Sequence, residues 1–334
     1  MFLKNNFYCK YFNLYSGKLD FMQKGLVIKS ISGFYTVRTD SGEDFVCKLP
    51  GKLKRERSLT DIVALGDRVT FTYNPNEENG LIETVKERVN ALSRSRPSAH
   101  NRSWKTDKEQ VLVANVDQVV FVFSLKKPTT SLRKLDRLLV GTEQQNIPAV
   151  ICVNKIDLGT IEEGKVQFGL YKKIGYDVVY TSTTSNEGVQ ELRDLLKDRV
   201  SVFAGSSGVG KSSLLNAIQP KLGLRTNNVS DATGKGLHTT RYGELFPLNF
   251  GGWVADTPGI RGWALYDIEP KELDAYFREI EPFVSQCQFS DCSHNNDPGC
   301  AVQQAVADGH ISAERFDSYH RLREEHENLL EEPW

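Results

Sequence analysis

The octapeptide Gly205-Ser-Ser-Gly-Val-Gly-Lys-Ser212 leaves the chain little choice of fold around it. It fits G-x-x-x-x-G-K-[ST], with the apolar run VSVFA immediately before it and the helix-forming SLLNAIQ after it. That context predicts a strand, a phosphate-binding loop and a helix, the unit from which doubly wound α/β sheets are built. Gly205, Gly208 and Gly210 free backbone N–H groups to wrap a diphosphate, and the helix starting near Lys211 adds its positive dipole. Lys211 is placed to neutralise β- and γ-phosphates and Ser212 to hold Mg²⁺. Ser206, Ser207, Val209 and Ser213 complete the candidate loop.

The base is named elsewhere. Asn154-Lys155-Ile156-Asp157 follows the apolar run AVICV, at a strand's C-terminal end, where such sheets bind ligands. Asp157 can accept from both N1–H and the 2-amino group of guanine, whereas adenine offers neither donor. Thr181-Ser182, closing the run DVVY, is the candidate source of a backbone N–H for the guanine carbonyl. Asp256-Thr-Pro-Gly259 ends another strand, GWVAD; Asp256 can hold Mg²⁺ through water, and the Gly259 N–H can sense a γ-phosphate. Between them DATGKGLHTTRYGEL has the composition of a switch loop, with Thr240 (or Thr239) to complete the Mg²⁺ shell. Ile260 carries no hydrogen-bonding group, so His238 is the candidate to orient the attacking water, alongside Lys211 and Thr240 as catalytic residues.

These motifs imply a GTP hydrolase whose chain order is permuted, because the base motif precedes the phosphate loop. All of these loops leave one edge of the sheet, so joining the termini elsewhere keeps the site intact. We assign residues 116–268 to this circularly permuted α/β domain.

The flanking segments have different characters. From 24 to 90, short alternating runs broken at Ser32-Gly33, Asp40-Ser41-Gly42 and Asn74 to Gly80 predict five strands closing an OB-like β-barrel. Its KLKRERSLTD segment carries Lys52, Lys54, Arg55 and Arg57, candidate contacts to an RNA backbone. That patch matters because the whole chain supplies no field: Lys+Arg 42 against Asp+Glu 43 in 334 residues gives a net charge of −1. Residues 91–115 are polar and read as a linker. Residues 1–23 read as a leader or extension without the apolar core of a secretory signal, and Met22 is a candidate start. The longest apolar runs, Val119 to Phe123 and Ala149 to Val153, fall far below the roughly 20 residues needed to span a bilayer. A cytoplasmic, membrane-free protein is the expectation.

From 269 to 334 a small, mainly helical domain contains Cys287-x4-Cys292-x-His294-x5-Cys300. Four soft ligands among turn-forming residues suit one closed, structural Zn²⁺. Cys47 and Cys152 lie in apolar runs and read as core. The terminal helix carries Phe316, Tyr319, Leu322 and Leu329 at helical spacing, a packing stripe.

The barrel, the order NKID, GSSGVGKS, DTPG, and the cysteine lobe together resemble the ribosome small-subunit-dependent GTPase A family (RsgA, also called YjeQ), over nearly the whole chain from Met22. The resemblance implies a bacterial enzyme converting GTP and water to GDP and phosphate in late maturation of the small ribosomal subunit. It also implies stimulation by the ribosome and rRNA binding through barrel and zinc lobe, and a monomer is expected. The leader departs from the family's pattern. A GTP-gated RNA-binding scaffold is the alternative; a P-loop kinase is disfavoured because NKID selects a base.

Overall fold

The computed structural model describes residues 21–51, 60–96, 108–222, 243–256 and 268–331. Strands β1 (Phe21–Ile31), β2 (Phe34–Thr39), β3 (Asp44–Lys48), β4 (Arg68–Tyr73) and β5 (Gly80–Val85) close a barrel in the order β1-β2-β3-β5-β4. The β1–β2 turn uses Ser32 and Gly33 at φ 50° and 83°, the positive pair that matches the right-handed twist of a hairpin. Val27, Val37, Cys47, Val69, Phe71 and Ile82 fill the interior. Strand β1 starts earlier than the expected barrel boundary at residue 24, because Phe21 to Lys24 pair with Tyr73 to Thr70 of β4.

The polar stretch read as a linker contains paired strands. Antiparallel β6 (Ala91–Arg96) and β7 (Lys108–Ala114) form a separate two-stranded sheet. Leu92, Val111 and Val113 are buried on it, an alternation diluted by the surrounding arginines and serines. Asp61 accepts from the Val111 amide at 3.1 Å, and the Ser93 amide donates to Gln145 Oε1 at 2.9 Å. Fully buried Asp67 is paired with Arg88 by two 2.8 Å bonds, fixing the segment that leads into β4.

The central sheet runs β10-β9-β8-β11-β13-β12. It comprises β8 (Gln118–Ser124), β9 (Ala149–Asn154), β10 (Asp177–Tyr180), β11 (Val200–Ala204), β12 (Leu245–Pro247) and β13 (Trp253–Asp256), all parallel except the edge strand β12. Every residue of β8 is buried, as a strand covered on both faces requires. One face packs Phe121 and Ile151 against Leu135, Leu138 and Leu139 of α1 (Leu132–Gln144) and Phe168 of α2 (Ile161–Lys173). The other packs Val120 and Phe203 against Leu192 of α3 (Val189–Leu196) and Leu214 of α4 (Lys211–Ile218). Helix α2 begins at a capping box made by Thr160 and Glu163. The barrel meets the sheet edge where Lys29 of β1 bridges Glu244, with a 3.0 Å ion pair, and Arg38 lies over Trp253.

A 3₁₀ turn (Pro270–Tyr276), α5 (Glu281–Val284), α6 (Ala301–Ala307) and α7 (Ala313–Glu331) build the C-terminal lobe. Phe277, Val302, Ile311, Tyr319 and Leu322 form its core, joined by Val140 from α1, and Phe316 stacks on Tyr319. The stripe residue Leu329 lies outside the described side chains. Arg315 of α7 is buried between Glu279 at 2.5 Å and Asp136 of α1 at 2.7 Å. Asp136 also accepts from Tyr171 of α2 and Ser318 of α7. Three helices and the turn carrying Glu279 thus share one buried polar cluster, which docks the lobe on the sheet domain. Among the described residues no helix is long and apolar enough to cross a membrane.

Candidate nucleotide site and metal centre

The loops at the C-terminal ends of β9, β10 and β11 meet. Asn154, the last residue of β9, donates from Nδ2 to the Val209 carbonyl at 2.9 Å and accepts from Thr181 Oγ1 at 3.1 Å. Lys155, in the left-handed region at φ 61°, extends Nζ to the Gly208 carbonyl at 2.5 Å and the Lys127 carbonyl at 2.8 Å. The first two residues of the base motif therefore bind the phosphate loop itself. Gly210 is required at that junction: its φ is 97°, and a Cβ there would run into Asn154 Nδ2. Val209 is buried beneath the loop, Ser207 is exposed, and Ser206, Ser212 and Ser213 are half-buried around it. Helix α4 starts at Lys211, whose Nζ donates to the carbonyls of Gly205 at 2.8 Å and Ser206 at 3.2 Å. Carbonyls hold the ammonium over the loop that its motif assigns to phosphates.

Ile156 is buried behind the motif, and Asp157 is exposed beside it. Ser182 Oγ donates to Asp157 Oδ1 at 2.6 Å and accepts from the amides of Thr184 and Ser185, so the carboxylate is fixed by a folded turn. The backbone donors expected of Thr181 and Ser182 are used inside the protein. The Thr181 amide bonds the Val153 carbonyl at 2.8 Å, and the Ser182 amide bonds the Glu187 carbonyl at 3.0 Å. The amide that follows, Thr183, becomes the candidate for the base carbonyl. For Thr181 the strand's own register was the signal, since a residue closing the ladder spends its amide on the sheet; the Ser182 amide is taken up in the following turn.

Asp256 ends β13 opposite Phe203 of β11, two residues before Gly205. His238, Thr239, Thr240, Gly259 and Ile260 lie outside the described residues, as do Lys52, Lys54, Arg55 and Arg57. Cys47 and Cys152 are buried, and burial pushes both thiols up to about 12, which suits core residues rather than nucleophiles or ligands.

The structure brings together all four predicted metal ligands. The donor atoms of Cys287, Cys292, His294 and Cys300 lie within 4.8 Å of one another. His294 is fully buried; its Nε2 lies 3.1 Å from Asp274 Oδ2, and its Nδ1 faces Cys300 Sγ at 3.4 Å and Cys287 Sγ at 3.7 Å. A carboxylate on the far nitrogen orients an imidazole for metal ligation, and sequence reasoning missed Asp274 because it lies 20 residues upstream. The Gln303 amide donates to Cys300 Sγ at 3.4 Å, a bond suited to a thiolate. Burial and the neighbouring thiols push the Cys292 thiol up to about 12, a cost that a bound cation reverses. These groups can hold one metal ion.

The sequence matches the family described as RsgA GTPase over residues 85–266 and the RsgA N-terminal domain over residues 24–82. Among similar proteins, the small ribosomal subunit biogenesis GTPase RsgA of Chlorobaculum parvum is 42% identical over 300 residues, covering 88% of this chain and 95% of the relative. The protein of that name from Bacteroides fragilis is 38% identical over 311 residues, covering 91% and 97%. YjeQ from Thermotoga maritima superposes with a TM-score of 0.73 at 36% identity, covering 93% of this chain and 100% of that one. YloQ, described as a circularly permuted GTPase, gives 0.70 at 34% identity, covering 92% and 96%.

Proposed function

Since the chain belongs to the RsgA GTPase family, we propose that it hydrolyses GTP to GDP and phosphate in the maturation of the small ribosomal subunit. One observation carries the reading: Asn154 and Lys155 hydrogen-bond the carbonyls of Val209 and Gly208, so base and phosphate recognition form one pocket. In that pocket Asp157, oriented by Ser182, accepts from guanine, and the Thr183 amide serves its carbonyl. Lys211 leaves the carbonyls of Gly205 and Ser206 for phosphate oxygens, exchanging neutral acceptors for charged ones. Ser212, with Thr240 and Asp256, would hold the Mg²⁺ that accompanies GTP and neutralises its developing charge. His238 orients or deprotonates the attacking water. The metal of the Cys287, Cys292, His294 and Cys300 site is Zn²⁺, a structural ion whose all-sulfur-and-nitrogen ligands suit it. The protein works as a monomer in the cytoplasm, binding rRNA through the barrel, with Lys52, Lys54, Arg55 and Arg57 on phosphates, and through the metal lobe.

Steady-state turnover with and without purified small subunits tests the proposal. Subunits should raise kcat, and His238→Ala should lose most of that gain at little change in GTP affinity. Turnover indifferent to subunits would leave GTP hydrolysis without the ribosomal role.

A further inference from the structure

The phosphate loop receives a further hydrogen bond from outside both nucleotide motifs. Lys134, in the first turn of α1, donates from Nζ to Ser206 Oγ at 3.0 Å. Ser206 therefore meets two ammonium groups, because its carbonyl also accepts from Lys211 at 3.2 Å. Their fates differ once a nucleotide arrives. Lys211 must move to the phosphates, whereas Lys134 holds a side-chain oxygen and can stay. Its own helix is firmly fixed: Asp136 is clasped by Arg315 and Ser318, and Arg137 pairs with Glu325 of α7. Near the end of α1, Glu143 pairs with Arg278 at 2.8 Å.

We propose that Lys134 is a positioning residue for the nucleotide, tying Ser206 of the phosphate loop to the anchored helix α1. The tie orders the loop in advance, so less conformational entropy is lost when phosphates bind. Its charge acts in the same direction on any anionic ligand of the loop. GTP and GDP both place phosphates in that loop, so both gain alike. The inference rests on residues 205–212 being the phosphate site, which binding of GTP by the unaltered protein tests separately; only differences among variants bear on Lys134.

The experiment uses the full chain and fluorescent GTP and GDP. Lys134→Ala should weaken both nucleotides by about three- to tenfold, the scale of one solvent-exposed hydrogen bond, with KM rising and kcat at saturation holding. Lys134→Arg should recover most of the affinity. In the Ser206→Ala background, Lys134→Ala should cost far less than it does alone, which a general loss of stability would not produce. Unchanged affinity in Lys134→Ala would overturn the proposal, as would full additivity with Ser206→Ala.

Discussion

Replacing Arg315 by Met removes a cation from between two carboxylates while keeping most of the apolar stem. Arg315 is 1% exposed, and the side chains of its partners Asp136 and Glu279 are 4% and 5% exposed. Asp136 would keep Tyr171 and Ser318 as donors. Glu279 would keep no other side-chain donor among the described residues. The guanidinium also sits 4.5 Å from the Phe277 ring, a contact that the Met thioether can partly replace. The dominant loss is therefore an uncompensated buried charge, at about 3–5 kcal/mol. At about 2–4 °C per kcal/mol for a folding unit of this size, the melting temperature should fall by about 6–20 °C. Calorimetry and urea unfolding measure it directly. The double variant Glu279→Leu with Arg315→Met removes the orphaned carboxylate and should regain at least half of the loss. A single variant within about 1 kcal/mol of the parent would refute the reasoning, as would a double variant no more stable than the single.

Asp157→Asn should weaken GTP by about a hundredfold and favour xanthosine triphosphate, whose 2-oxo group needs a donor; a competition assay giving the parent's preference for GTP would count against the guanine contact. Elemental analysis should find one Zn²⁺ per chain, and Cys292→Ser should lower the melting of the C-terminal lobe while GTP still binds. Metal-free protein with an unaltered melting curve would remove the structural role. Burial holds the His326 imidazole below its ordinary value. The unfolded chain then takes up a proton near pH 6.5 that the folded lobe refuses, so stability should drop as pH falls through that value. His326→Gln should flatten this part of the curve, and an identical pH profile in the variant would show that other groups carry it.

The nucleotide motifs and the metal ligands were legible because their spacing is local: each is set by a few consecutive residues and the strand or helix beside them. What each motif residue touches was less so. Asn154 and Lys155 look like base contacts in sequence, yet their partners are carbonyls 55 and 53 residues away. The strands β6 and β7 were hidden because β6 offers only Ala91 and Leu92 before its arginines and serines, and the apolar run Val111 to Ala114 of β7 is only four residues long, with its partner strand about 20 residues earlier. Arg315 was illegible for a different reason. A lone arginine on a helix of mixed charge gives no hint of Asp136, 179 residues earlier, and only the docked lobe creates the buried setting.

The bonds from Asn154 and Lys155 to the phosphate loop also bear on the order in which the site can come into being during synthesis. In this permuted chain the donors are translated first, and their acceptors at Gly208 and Val209 follow more than 50 residues later. A nascent chain halted before β11 would carry the guanine-reading residues on β9 and β10 without the Val209 and Gly208 carbonyls that two of their side chains bond in the folded protein. The strand that fills the gap beside β8 also delivers the phosphate loop, so base and phosphate recognition are completed by the same insertion. A stalled ribosome complex ending near residue 200 should therefore bind no guanine nucleotide, and one that exposes α4 should bind it.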